Sequence, residues 1–129
     1  MSSNFLISTK DWNVQAWKER MYNGTVYSKE IKMLCRHNVL PENVMREFKD
    51  DLKWRIISAY QVLTEDFMEE MEDYIDWNTI SGCQNLSELF ILKHKNKLNI
   101  SKIIVFQEHL SRQFKKRFDN EFDRKKVML

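Results

Sequence analysis

Apolar and amide positions recur along this chain at a fixed interval. Residues 54–67 read WRIISAYQVLTEDF, and 23 positions further on residues 77–90 read WNTISGCQNLSELF. Extending the interval in both directions gives aligned columns: Ile31, Trp54, Trp77 and Ile100, then Leu34, Ile57, Ile80 and Ile103, then Asn38, Gln61, Gln84 and Gln107. Leu40, Leu63 and Leu86 follow, with Leu110 in the same place after a one-residue insertion. Val44, Phe67, Phe90 and Phe114 come next, and a last column holds Phe48, Met71, His94 and Phe118. Gln15, Trp17 and Met21 fit the same frame as an N-terminal half-unit, so four full copies and one partial copy tile residues 12–118.

The spacing within each copy predicts two short helices. The first runs from the Trp column to about the amide column, its apolar positions three and six residues apart on one helical face. Asp76 and Asn99 stand just before it as caps for its free N–H groups. The second helix follows the Leu column, with Thr64, Ser87 and Ser111 as N-caps and Glu65 and Glu88 in the first turn, where the helix dipole favours an acid. Pro41 takes the cap's place in the earlier copy. Asn23-Gly24 breaks the chain ahead of a helix beginning near Ser28, as a helix C-cap or a hairpin turn, the C-cap being the favoured reading. One such helix pair cannot bury its own apolar stripe, whereas stacked copies bury a continuous core. The expected fold is all-α, an α-solenoid-like stack of short helix pairs in a single domain over 1–129. Residues 1–27 form a partial repeat, 28–110 the helical repeats, and 111–127 a long, basic C-terminal cap helix with Phe114, Phe118 and Phe122 as its inner stripe.

The pattern W-x-x-I-S-x-x-Q-x-L-[ST]-E-x-F is carried in full at 54–67 and 77–90, and in degraded form at 31–44 and 100–114. It resembles the short tryptophan repeat of proteins from phages and large DNA viruses, including the tryptophan-repeat gene family of insect poxviruses. The resemblance covers roughly 31–118 and implies a virus-encoded helical-repeat protein. It implies no catalytic activity, cofactor or defined ligand. Ile31 and Ile100 replace the Trp, and Cys35 and Ile104 replace the Ser, so the outer copies are degenerate.

Composition supports an ordered helical chain: two Gly, one Pro and 43% apolar residues among 129. Two cysteines, Cys35 and Cys83, make no disulfide framework and suit a reduced compartment. No charged-then-apolar leader and no bilayer-spanning run is read in the sequence, so the expectation is a protein of the host cytoplasm or the virion, not secreted and with no membrane partner. Net charge is +2, but residues 42–76 carry −7 and residues 93–129 carry +7. Such asymmetry bears on partners, not on fold.

Candidate chemistry is sparse. Trp54 and Trp77 head the helical stripe and read as core, more than as a stacking platform. Gln61, Gln84 and Gln107 read as amides that bond backbone at the turn between the two helices. His94 stands in an apolar column as a partly buried structural histidine, and His37 and His109 flank turns. Cys35-x-His37 offers two ligands with no second pair at metal spacing, so no metal is expected. No set of nucleophile, base and orienter is read, and an enzyme is not expected. The acids of EDFMEEMEDYID, namely Glu65, Asp66, Glu69, Glu70, Glu72 and Asp73, read as a solvated face or, more sharply, as a docking patch for a basic partner. Lys115, Lys116, Arg117, Arg124, Lys125 and Lys126 read as a solvated cap, a partner-binding helix, or a phosphate contact weakened by interleaved Asp119, Glu121 and Asp123. The sequence therefore points to a non-enzymatic module that binds a host or viral protein, with nucleic-acid binding through the basic helix as the alternative. Exposed Trp12, Trp17 and Tyr22 would offer a route to homo-oligomers.

Overall fold

The computed structural model describes residues 14–117 of the chain. Among the described residues the structure is all-helical, with no strand. The chain divides into two compact units, one ending at Val62 and the other beginning at Leu63.

The first unit holds α1 (Val14–Tyr22), α2 (Ser28–His37), α3 (Glu42–Glu47) and α4 (Trp54–Tyr60). α1 ends in a Schellman turn: Thr25 N donates to Arg20 O at 2.9 Å and Gly24 N to Met21 O at 3.2 Å. Gly24 sits at φ +67°, the left-handed conformation this cap requires and which a residue without Cβ adopts freely. Asn23-Gly24 is thus a helix C-cap. Across the turn, the Arg20 guanidinium lies 2.7 Å from the buried Glu30 carboxylate, whose other oxygen accepts from Tyr27 N at the start of α2. α4 packs against α2. The core of this unit gathers Trp17, Leu34, Leu40, Val44, Met45, Phe48, Leu52, Trp54 and Ile57. Trp17 meets Phe48 edge-on, ring centroids 4.9 Å apart. Trp17 is therefore core and not an exposed aromatic, because Phe48 supplies the apolar wall it needs, while Tyr22 remains 68% exposed. Trp12 lies outside the described residues.

The second unit holds α5 (Glu65–Glu70), α6 (Trp77–Cys83), α7 (Glu88–His94), α8 (Ile100–Phe106) and a last helix, α9, over 112–117. The remainder of the expected C-terminal helix, with Phe118 and Phe122, lies outside the described residues. Caps start these helices as the spacing predicts. Thr64 Oγ accepts from Phe67 N, Ser87 Oγ from Phe90 N and Ser111 Oγ from Phe114 N, at 3.1–3.2 Å. Asp76 and Asn99 do the same for Thr79 N and Lys102 N. α3 begins at Pro41 with no side-chain cap. α8 packs against α6, closely enough that a Cβ on Gly82 would lie 3.4 Å from the Phe106 ring. Phe67, Met68, Ile80, Leu86, Ile91 and Ile103 are almost wholly buried. Each contributes about 1.5–3 kcal/mol on burial, which these helices need because segments of six or seven residues do not hold helical structure alone. α4, α6 and α8 begin at 54, 77 and 100, and α3, α5 and α7 at 42, 65 and 88.

Candidate functional site

The amide column closes the turns between helices. Gln61, at the end of α4, accepts from Leu40 N at 2.9 Å through Oε1 and donates through Nε2 to Cys35 O and Asn38 O. Gln107, at the end of α8, accepts from Leu86 N at 3.3 Å and donates to Ser81 O and Gln84 O. The partners stand 21, 26 and 23 residues upstream in both cases. Gln84 Oε1 takes Leu63 N with the same separation of 21. Gln61 and Gln107 thus each satisfy a turn N–H and two carbonyls left open at a helix C-terminus, groups that would otherwise be buried without partners. Asn38, one methylene shorter, is 3% exposed, and neither its Oδ1 nor its Nδ2 has a partner.

The Trp column behaves unevenly. Trp54 is buried and donates Nε1–H to Lys49 O, while Trp77 makes the equivalent bond to Glu72 O at 2.9 Å but is only half-buried. Lys97 covers the exposed part of the Trp77 ring, its ammonium 5.3 Å from the centroid, in a cation–π contact. His94 is buried against Trp77 and Phe90, centroids 5.1 and 4.5 Å away. Cys35 takes the place that Ser81 takes in α6. Ser81 Oγ accepts Asn99 N at 2.8 Å, and the Cys35 sulfur faces the Lys53 backbone N–H. Burial pushes the Cys35 thiol up to about 11, with the Lys53 contact opposing it. Cys83 is exposed.

The acids named from the sequence lie on α5 and the turn after it, and Glu65, Glu69 and Glu72 bond residues further along the unit. Glu65 accepts Ser87 N at 2.7 Å and Ser87 Oγ at 2.8 Å. Glu69 pairs with Lys93 and lies 3.6 Å from His94 Nε2, and Glu72 pairs with Lys97 at 3.0 Å. The Lys93 hydrogen bond holds the Glu69 carboxyl below its ordinary value, and Glu69 in turn raises Lys93. Asp66, Glu70 and Asp73 are solvent-exposed. Glu65, Glu69 and Glu72 thus bond Ser87, Lys93 and Lys97, at the start of, within and just after α7.

The basic residues form a different surface. Lys115, Lys116 and Arg117 lie on α9, while Arg124, Lys125 and Lys126 lie outside the described residues. Lys115 and Lys116 join Arg112, Ile104 and Leu110 in lining an open groove of about 470 Å³ between α8 and α9. Arg112, Ile104 and Leu110 were not among the residues that charge runs single out. The signal that finds Arg112 is its column, where Glu42, Glu65 and Glu88 stand in the earlier copies. Among the described residues no cluster of His, Cys, Asp or Glu is arranged to hold a metal ion, and no helix is long and apolar enough to cross a membrane. No protein-family model, curated protein or solved structure matches the chain.

Proposed function

We propose that this chain is a non-enzymatic helical-repeat protein, virus-encoded, that docks on a host or viral protein and modulates it. The observation that carries the reading is the amide register. Gln61 and Gln107 bond the turn 21–26 residues upstream through identical sets of backbone groups, and Gln84 follows the same register. Bonds of that kind hold α4 on α2 in the first unit and α8 on α6 in the second, in the register of a 23-residue repeat, and stacked helix pairs offer an extended surface to a macromolecule. The resemblance to viral tryptophan repeats supports a viral origin in the host cytoplasm or the virion. An inhibitor of a host defence protein and a minor virion or assembly component are the two forms this function takes.

Capture with the tagged chain from infected-host lysate, with and without nuclease, tests the reading. A stoichiometric protein retained after nuclease is the expected result, and its identity distinguishes inhibitor from virion part. Retention of nucleic acid alone contradicts it. That second reading, nucleic-acid binding, draws on the absence of any carboxylate partner for Lys115, Lys116 and Arg117 among the described residues. It requires an affinity that falls by about one log unit per log unit of salt for each phosphate neutralised.

A further inference from the structure

We propose that the groove between α8 and α9 binds an acidic segment of a partner protein through an apolar anchor, and that its cations bar a further copy of the repeat from stacking there. The inference rests on the repeat reading above and names the partner's chemistry.

The groove's residues have counterparts in each earlier copy, and in the second unit Glu65, Glu88 and Ser81 among these counterparts bond the segment that follows. The first residue of the second helix is Glu42, Glu65 and Glu88 in three copies and Arg112 in the last. Glu65 accepts from Ser87, and Glu88 accepts from Ser111 Oγ at 3.1 Å, so this acid anchors the cap of the next pair. Three residues on, Met45, Met68 and Ile91 are buried to within 1% exposure, and Lys115 replaces them. Arg46, Glu69 and Leu92 are followed in their column by Lys116. In the first helix, Ser81 Oγ accepts the backbone N–H of Asn99, and Ile104 takes its place with no acceptor to offer.

The surface that receives the next copy is therefore rewritten where the described chain ends. Its hydrogen-bond acceptors are gone, and two apolar side chains, Ile104 and Leu110, lie among three cations. A further helix pair would bring its own N-terminal caps, at the positive end of the helix dipole, against Arg112. A carboxylate-bearing segment meets the opposite situation. Arg112, Lys115 and Lys116 have no acid partner among the described residues, whereas Lys93 and Lys97 on the same unit are paired. The half-buried Ile104 and buried Leu110 give a branched or aromatic side chain a surface to desolvate. A phosphate backbone has no use for that apolar floor, which favours an acidic peptide over a nucleic acid.

Fluorescence anisotropy on the full chain tests this with a labelled synthetic peptide rich in Glu and Asp around a Leu and a Phe, a second peptide with both anchors changed to Ser, and an oligo-dT strand. The anchored peptide should bind, and the Ser peptide at least about tenfold more weakly. Lys115→Glu with Lys116→Glu should weaken the anchored peptide about tenfold or more, as should Ile104→Ser, while Lys95→Glu on the exposed end of α7 leaves it unchanged. Lys116→Glu alone, at an exposed position, keeps the test open if the double variant loses its helical circular dichroism. Equal binding of both peptides, tighter binding of oligo-dT, or indifference to charge reversal overturns the proposal. Lysate capture separates the two readings. A nuclease-resistant partner still held by the Lys116→Glu chain leaves the docking function standing and removes this groove from it, whereas no partner for the unaltered chain removes the function itself.

Discussion

Gln61 carries more than its size suggests, since one side chain satisfies Leu40 N, Cys35 O and Asn38 O in a buried place. Removing it leaves three buried backbone groups without partners, so Gln61→Ala should cost about 2–4 kcal/mol in urea unfolding. Asn38→Ala should cost distinctly less, because Asn38 Oδ1 and Nδ2 bond nothing. Equal costs for the two would contradict the role given to the amide. The two thiols also separate at this scale. Cys35 is fully buried with its pKa raised to about 11, and Cys83 is exposed. A thiol reagent at neutral pH should label Cys83 alone in the folded chain and both in denaturant. Because the folded value of Cys35 lies above its ordinary 9.0, the stability it contributes is complete below pH 9 and is lost as pH rises toward 11. Rapid labelling of Cys35 in the native chain would refute its burial.

Among the helices, the caps and the one internal glycine make separate predictions. Ser87 caps α7 and also gives its N–H and hydroxyl to Glu65, so Ser87→Ala should destabilise by about 1–2 kcal/mol in thermal unfolding. Gly82 lies inside α6 where the previous copy has Ala59. Its added Cβ would make an ordinary contact with Phe106, so Gly82→Ala should leave stability unchanged or raise it by about 0.5–1 kcal/mol. The Glu69–Lys93 pair is exposed at the lysine and screened. With Glu69 lowered from 4.5 and Lys93 raised from 10.5, its contribution is present between those values and fades below pH 4.5, as Glu69 protonates, and above 10.5, as Lys93 deprotonates. The helix positions were legible in the sequence because a Trp or Ile, an Asp or Asn cap and a Ser or Thr cap recur at one spacing. What each cap's neighbours do was not legible. Glu65 and Glu72 read as free acids until Ser87 and Lys97, 22 and 25 residues away, come within bonding distance.

For the whole molecule, the periodic columns announced the all-helical architecture, and the charge runs found two of the five residues that line the groove. Lys115 and Lys116 stood out, while Ile104 and Leu110 could not, since an apolar residue in an apolar column looks like core until the cover over it is known. Within each unit the glutamine side chains tie a later turn to an earlier one, Gln61 in the first and Gln84 and Gln107 in the second, and the N–H groups of Leu40, Leu63 and Leu86 report on those bonds directly. All three lie in turns outside any helix, and each donates to a glutamine side chain. Amide hydrogen exchange by NMR should find them protected to the level of the neighbouring helices, with Gln107→Ala releasing Leu86 while Leu40 stays protected. Exchange of the three at the rate of an open turn in the unaltered chain would show that the glutamine side chains do not hold these turns.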